Sequence, residues 1–175
     1  RTALYGYLDR WGNEVVSPEY EVAKPFFEGL AAVKKDGKFG FIDRSGNVVV
    51  DFAYDFVYGF KDGFAFVANH NKEGGMIWTV IDRKGRSIMS PFEGRAGYVN
   101  DFVYSGLTSG IYHGMANCYK KGKGWCFVDL STGDVVIDKA SQYGFSNGLT
   151  PVFDNTGGKV LWGFADASGN LVIDY

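Results

Sequence analysis

The sequence predicts an all-β fold made of tandem three-stranded antiparallel meanders, and three observations lead to it. Glycine is abundant, with 25 residues in a chain of 175, and 17% of the residues are aromatic, a composition typical of short strands joined by many turns. Apolar residues nowhere keep the three- and four-residue spacing of an amphipathic helix for long enough to form one. A pattern of aromatic residues, aspartate and glycine also recurs along the chain, which indicates a repeat architecture.

Three anchors recur in a fixed order. The first is an aromatic residue, any residue, a second aromatic or apolar residue, any residue and aspartate. The second is a turn glycine three or four residues later, followed by an apolar run. The third is a polar residue, glycine and an apolar residue. The first anchor ends at Asp9, Asp43, Asp82, Asp129 and Asp166, at spacings of 34, 39, 47 and 37 residues. We therefore predict one repeat domain over residues 1–175, with about five repeats at approximately 1–27 (partial), 28–61, 62–112 (with an insertion), 113–146 and 147–175.

The second repeat shows how each meander is predicted to form. Residues 30–35 are the first strand, Asp36-Gly37 supplies the two positive-φ residues of a tight hairpin turn, and residues 38–43 return antiparallel. A turn over residues 43–46 leads to the third strand, residues 47–51. Residues 55–60 are expected to be an irregular aromatic connection that packs beneath the next repeat.

The aspartate that ends each first anchor is predicted to form a turn. Its carboxylate can accept a backbone N–H from two residues on, and the following glycine tolerates the left-handed conformation that a turn requires. Five equivalent carboxylates could also suggest a catalytic array, but repetition itself explains their equivalence. We therefore predict no enzyme activity and no catalytic residues.

The stretch DGKFGFIDRSGNVVV, residues 36–50, resembles the WG-repeat (KWG) family of bacterial β-rich repeat proteins, and the resemblance extends over nearly the whole chain. The signature glycine is kept at Gly6, Gly40 and Gly163 but is replaced by Thr79 and Cys126 in the other copies. Trp11-Gly12 falls on the aspartate turn and is not the signature pair. The resemblance implies tandem β modules without catalytic residues, in proteins that are frequently exported, periplasmic or displayed on the cell surface.

A tight Asp36-Gly37 turn would place Gly40 opposite Val33, and a missing side chain there would let an aromatic ring lie across the strand. In the fourth repeat the same register makes Cys118 and Cys126 face one another. Two interpretations remain open for this pair: a cross-strand disulfide, or reduced thiols packed against aromatic rings.

Composition argues against several classes of protein. The charge is balanced, with 18 Lys+Arg against 20 Asp+Glu, and the basic residues are dispersed, which disfavours a nucleic-acid partner. No apolar run is long enough for a membrane-spanning helix. His70 and His113 lack the neighbouring ligands of a metal site, and Lys121-Gly122-Lys123-Gly124 lacks the spacing of a phosphate loop. We therefore predict no metal and no cofactor.

The third repeat is about 12 residues longer than the others between its aspartate and the next third anchor. Insertions in repeat proteins tend to map to one face, often the binding face. The polar and aromatic residues of this region, suited to recognition, are Arg95, Tyr98, Tyr104, Tyr112 and His113. The alternative is a surface loop without a function of its own.

One meander cannot bury its apolar face alone, so neighbouring repeats are expected to stack. The chain starts at the second strand of a repeat and its last repeat has three strands, which favours an open twisted array over a closed β-propeller-like ring. This start also suggests that the natural protein continues before Arg1, where a signal segment would lie.

Two functions are compatible with this architecture. The first is a non-enzymatic binding or spacer module with a protein partner. The second is carbohydrate binding through exposed aromatic rings. Repetition predicts that Trp78, Trp125 and Trp162 are buried, which would leave tyrosines as the candidates for a sugar-binding surface, namely Tyr58, Tyr98, Tyr104 and Tyr112.

Overall fold

The computed structural model describes residues 3–96 and 110–174, and within them the chain consists of strands, turns and irregular segments without a helix. No helix long and apolar enough to cross a membrane is found in these ranges. Every strand pairing in the described part is antiparallel. The predicted all-β class is confirmed.

The first two sheets come from the first 54 residues. One pairs β1 (Tyr5–Leu8) with β2 (Glu14–Tyr20), and the other runs in chain order through β3 (Val22–Phe27), β4 (Leu30–Lys35), β5 (Lys38–Asp43) and β6 (Val48–Tyr54). Strands β4 and β5 have the predicted bounds, and β6 continues three residues beyond its predicted end. The meander gains a fourth strand, β3, because the third anchor is itself a tight turn that folds β3 onto β4.

The third sheet combines the third and fourth repeats with a short strand from the end of the second. Its strands are β7 (Phe56–Val57), β8 (Phe64–His70), β9 (Met76–Asp82), β10 (Phe92–Ala96), β11 (Ile111–Tyr112), β12 (Met115–Lys120), β13 (Gly124–Asp129) and β14 (Val135–Ile137). Strand β10 pairs with both β9 and β12 and thereby joins the two repeats. The expectation that residues 55–60 are wholly irregular is wrong, because β7 lies there and pairs with β8.

The last sheet holds β15 (Leu149–Asp154), β16 (Leu161–Asp166) and β17 (Leu171–Ile173) in chain order. Its loops use the same turns as the earlier repeats, and none of the described sheets closes into a barrel. The predicted tandem meanders are therefore confirmed.

Tight turns of one conformation, at two places in the repeat, set the strand register. The hairpin between β4 and β5 has positive φ at both Asp36 and Gly37, at 50° and 78°, as the sequence predicts. The third anchors use the same conformation, with φ near 50° at the polar residue and near 80° at the glycine. They are Glu28-Gly29, Asp62-Gly63, His113-Gly114 and Asn147-Gly148.

The core lies between successive repeats. Alternate side chains of a strand point to opposite faces, so the sheet of each inner repeat contacts a neighbour on both sides. In the second repeat, Phe41 and Val50 pack against the third repeat, whereas Val33 and Ile42 pack against the first. We call these the forward face and the rear face. The forward face carries larger side chains than the rear face. At each interface, the larger side chains of one repeat therefore pack against the smaller side chains of the next repeat.

Residues 55–60 pack between repeats as expected. Val57 and Phe60 are buried in the same cluster as Phe41 of the second repeat and Val67 of the third, and the rings of Phe41 and Phe60 meet edge to face at 4.8 Å between centroids. A short strand and its turn therefore fill the space between two meanders.

Candidate functional site

The aspartate turns show what the recurring carboxylates do. Asp43 accepts hydrogen bonds from the backbone N–H groups of Ser45 and Asn47, at 2.8 and 2.9 Å, and from the Asn47 side-chain amide at 2.9 Å. The same hydrogen bonds recur at Asp9 and Asp166. These hydrogen bonds, first among them that of the Asn47 side chain, lower the pKa of Asp43. Each of these three carboxylates therefore accepts hydrogen bonds from its own turn.

Sequence reasoning missed the residue that completes this turn. An asparagine directly after the turn glycine donates its amide to the aspartate in three copies, at Asn13, Asn47 and Asn170. In the third repeat Arg86 takes this position, and its Nε donates to Asp82 at 2.7 Å. The signal was present as a Gly-Asn pair that recurs in the sequence.

The predicted cluster in the third repeat is only partly described. Tyr98 and Tyr104 lie outside the described residues, and Arg95 lies in β10 opposite Tyr119. Tyr112 is half-buried, and its ring stacks on Phe145, near the end of the fourth repeat, with the centroids 4.8 Å apart. Both rings pack against the buried cluster between the fourth and fifth repeats.

His113 is exposed and occupies the third-anchor turn. Its backbone N–H donates to Asp62 Oδ2 at 2.9 Å, and the N–H of Gly63 donates to Glu28 Oε2 at 2.9 Å. The side chain of each acidic third anchor thus binds the backbone of the next third anchor. These contacts align the turns of the second, third and fourth repeats along one edge of the molecule.

A groove lies at this edge, where the turns of the third and fourth repeats meet. It consists of two adjoining cavities of about 390 and 250 Å³, both lined by Phe64 and Leu130. The larger cavity adds Arg83, Lys84, Arg86 and Ile88, and the smaller one adds His113, Asp129 and Ser131. We call this surface the turn groove.

The turn groove has an apolar floor and a basic rim. Leu130 is buried and its N–H donates to the Gly114 carbonyl at 2.8 Å, which fixes the floor between two turns. On the rim, Arg86 pairs with Asp82 at 2.6 Å, and Arg83 is 3.8 Å from Glu28. Within residues 3–96 and 110–174, Lys84 forms no ion pair. Lys84 is therefore the positive charge that the rim offers beside apolar surface, while the carboxylates of Asp82 and Asp129 also line the groove.

The cysteine pair adopts the predicted register. Cys118 lies directly opposite Cys126, both are buried as free thiols, and their sulfur atoms are 3.8 Å apart. The hydrogen bond with Cys126 and burial raise the pKa of the Cys118 thiol, so this thiol is protonated at neutral pH and has little thiolate character.

The prediction that three tryptophans are buried holds fully for one of them. Trp78 is buried as expected and Trp125 is half-buried. The expectation that Trp162 is buried is wrong, because no described residue covers the forward face of the fifth repeat and Trp162 is exposed there. Trp11 is exposed as well, on the first aspartate turn, with the Arg10 guanidinium 4.2 Å from its ring.

Two segments of the chain, residues 5–39 and 39–72, match the family model described as WG containing repeat. Residues 5–72 therefore contain two WG repeats. The matches include the turns at Asp9 and Asp43, and the same turn at Asp166 continues the WG pattern beyond the matched residues. No curated protein sequence matches this chain.

Solved structures resemble this chain in fold alone. The computationally designed Ika8 protein aligns with a TM-score of 0.50 at 12% identity, over 94% of this chain and 53% of the designed chain. The chain therefore spans about half the length of that protein. Weaker likenesses are the tricorn protease, with a TM-score of 0.40 at 18% identity over 89% of this chain and 17% of that one, and BamB from Moraxella catarrhalis, with 0.38 at 9% identity over 86% and 61%.

Proposed function

We propose that this WG-repeat domain is a non-enzymatic interaction module and that a protein partner inserts an acidic segment with an apolar side chain into the turn groove. The observation that carries the proposal is the combination of an apolar floor, formed by Phe64, Ile88 and Leu130, with a basic rim. The larger cavity, about 390 Å³, has the size of pockets that hold a ligand group.

The charges on the rim favour a partner with carboxylates. Lys84 and Arg83 are exposed, and Lys84 is without a carboxylate partner among the described residues. A carboxylate bound there would gain a charge-assisted contact, while an adjacent apolar side chain would cover Ile88 and Phe64. Association through exposed charges weakens as salt screens them.

Fluorescence anisotropy with labelled peptides tests this proposal. The probe is a peptide of glutamates around one leucine, compared with the same peptide in which lysines replace the glutamates. We expect binding of the acidic peptide only, at least a fivefold loss of affinity in Lys84→Glu, and weaker binding at higher salt. Lys159→Glu is the matched control, because Lys159 is exposed on the fifth repeat, outside the turn groove. Equal losses in both variants, or no binding of the acidic peptide, would contradict the proposal.

Carbohydrate binding is a second candidate, which the exposed rings of Trp162 and Trp11 favour. Exposed tryptophan rings can stack on the apolar faces of sugars. Titration with an oligosaccharide mixture, followed by tryptophan fluorescence, separates the two candidates. A glycan response that is lost in Trp162→Ala but kept in Lys84→Glu would support carbohydrate binding over the acidic-peptide proposal.

We also propose that the domain is exported, as the WG-repeat resemblance suggests. Disulfides form and persist in oxidising compartments, so the state of Cys118 and Cys126 reports on location. A disulfide in protein isolated from its native cells, seen as an intact mass lower by two hydrogen atoms, would therefore support export. Fractionation of those cells tests the location itself, and recovery of the domain in the cytoplasm alone would contradict export.

A further inference from the structure

The buried polar side chains of the molecule lie together at one interface. Within residues 3–96 and 110–174 they are Asn117, Ser141 and Thr150. Asn117 belongs to the forward face of the fourth repeat, and Thr150 belongs to the rear face of the fifth. At the other interfaces the equivalent positions are apolar, namely Ala32 and Phe66 for Asn117, and Ala31, Ala65 and Ala116 for Thr150. The interface between the fourth and fifth repeats therefore differs in chemistry from those before it.

The Tyr143 carbonyl oxygen connects these three side chains. The Asn117 amide donates to it at 3.3 Å and to the Ser141 carbonyl at the same distance. The hydroxyls of Ser141 and Thr150 donate to the Tyr143 carbonyl at 3.2 and 3.4 Å. Asn117 Oδ1 has no donor among the described residues. A buried amide is stable only where hydrogen-bond partners face it, so the burial of Asn117 depends on these two carbonyls.

The segment that leads into the fifth repeat presents the Tyr143 carbonyl through a bend. The Ser141 N–H donates to the Pro151 carbonyl of β15 at 3.0 Å, and Tyr58 makes the corresponding hydrogen bond to β8 in the third repeat at 2.9 Å. Seven positions separate Ser141 from the following third-anchor glycine, whereas five separate Tyr58 from its own. The longer chain bends directly after Ser141, whose hydroxyl accepts the Tyr143 N–H at 3.1 Å. The acceptor for Asn117 therefore comes from a feature that the third repeat lacks.

We infer that this polar cluster, formed by Asn117, Ser141, Tyr143 and Thr150, specifies which rear face packs on the fourth repeat. The forward face of the fourth repeat buries Asn117 favourably only against the rear face that brings the bend and Thr150. Against the rear face of the second or third repeat, where an alanine replaces Thr150, the amide would be buried facing apolar side chains, which is costly. A single buried asparagine fixes partner and register in coiled coils through the same penalty. The inference is independent of the turn groove.

Repeats of similar shape need a rule of this kind. The rear faces of the second, third and fourth repeats carry the same buried residue at one position, Ala31, Ala65 and Ala116. During folding, the forward face of the fourth repeat can therefore meet the wrong rear face, in its own chain or in another one. A penalty on wrong pairings gives specificity without added stability of the right pairing. Asn117→Ala, which introduces the residue of the second repeat at this position, should fold but lose this discrimination.

Refolding from urea over a range of protein concentrations tests the inference. Size-exclusion chromatography measures the fraction of each protein that returns to the elution volume it had before unfolding, with a reducing agent present to keep the cysteines as thiols. We expect nearly complete return of the wild type. The return of Asn117→Ala should be about twofold lower at the highest concentration, with the rest in larger species. Cys118→Ala is the matched control and should return like the wild type, because Cys118 is the next residue of β12 and is equally buried on the opposite face.

The urea midpoints of the same proteins separate specificity from stability. Asn117→Ala should unfold at a midpoint no lower than that of Cys118→Ala, because the hydrogen bonds of Asn117 replace hydrogen bonds to water. A lower midpoint would mean that Asn117 stabilises the interface, and it would overturn the inference. Complete return of Asn117→Ala at every concentration, or a wild type that returns no better than this variant, would overturn it as well. Asn117→Leu gives the same test if Asn117→Ala does not fold.

Discussion

The signature glycine of the WG repeat is required because the third strand passes close to it. A Cβ atom at residue 40 would lie 2.6 Å from the Val50 carbonyl oxygen and 3.1 Å from a ring carbon of Phe52. At Gly6 a Cβ would collide in the same way with the carbonyl of Val16. An aromatic ring does approach the glycine, as the sequence suggests, but the backbone carbonyl is nearer and imposes the stronger restriction.

The third repeat shows how a side chain can replace this glycine. Thr79 occupies the position of Gly40, and its hydroxyl donates a hydrogen bond to the carbonyl of Met89 at 2.8 Å. Met89 stands at the position of Val50, so the carbonyl that excludes a Cβ in one repeat accepts a hydrogen bond in another. The departure from the signature therefore keeps the contact between the second and third strands.

Gly40→Ala should destabilise the domain by about 1–3 kcal/mol, because the added methyl group must displace backbone. Gly157→Ala is the control, since a Cβ there meets no atom within 4 Å. Urea unfolding followed by circular dichroism measures both. Equal stability of the two variants would show that the third strand moves away from the added methyl group without loss of stability.

The lowered pKa of Asp55 predicts that the stability of the domain depends on pH. A hydrogen bond from Lys38 at 2.6 Å, followed by one from the His70 backbone N–H at 2.9 Å, lowers the pKa of Asp55 to about 2. Because the folded-state pKa lies below the unfolded value, this stabilisation is present above about pH 4 and is lost as pH falls towards 2.

Asp55→Asn should therefore lower the Tm by about 2–4 °C at pH 7, which corresponds to roughly 1 kcal/mol for a partly exposed pair. At pH 2 the variant and the wild type should melt at nearly the same temperature. Asp51→Asn, at an exposed residue of β6, is the control and should change little at either pH. A Tm difference between Asp55→Asn and the wild type that stays constant from pH 7 to pH 2 would contradict the titration of Asp55.

At the scale of the strand, the sequence of a single meander was sufficient to predict its register. The two positive-φ residues of Asp36-Gly37 fix the hairpin, and Val33 lies opposite Gly40 as a two-residue turn requires. The extra residue of the hairpin at Gly122 leaves Cys118 opposite Cys126, again as predicted. Local turn chemistry decides these pairings, so no knowledge of the neighbours is needed.

Features that depend on neighbours could not be predicted in the same way. Strand β7 has two residues, and only its pairing with β8 defines it. The floor of the turn groove joins Phe64 to Leu130, from different repeats. A basic run at residues 83–86 and a leucine in place of a polar turn residue were visible, but only the stacking of repeats brings them together.

Equivalent rings in different repeats should contribute unequally to stability. Phe41→Ala removes a fully buried ring between the second and third repeats and should cost about 3–5 kcal/mol. Phe164→Ala, at the same position of the fifth repeat, removes a partly exposed ring and should cost about 1 kcal/mol or less. Denaturant unfolding of both variants compares them. Similar losses would mean that the forward face of the fifth repeat is covered.

At the scale of the whole molecule, stability follows from the number of neighbours that each repeat has. The second, third and fourth repeats contribute to two buried clusters each, whereas the first and fifth contribute to one each. Strand β10 adds a continuous hydrogen-bonded connection between the third and fourth repeats. In a linear array of this kind, the free energy of unfolding is approximately a sum of one term for each repeat and one term for each interface between neighbours.

This arrangement predicts a gradient of amide hydrogen exchange along the chain. Local opening of a strand costs less where fewer apolar contacts hold it, so β16 and β17, with their exposed forward face, should exchange faster than β8 and β9, which lie between two covered interfaces. Exchange followed by mass spectrometry measures this. Uniform exchange in all repeats would instead indicate a single cooperative unit, in which opening one interface opens them all.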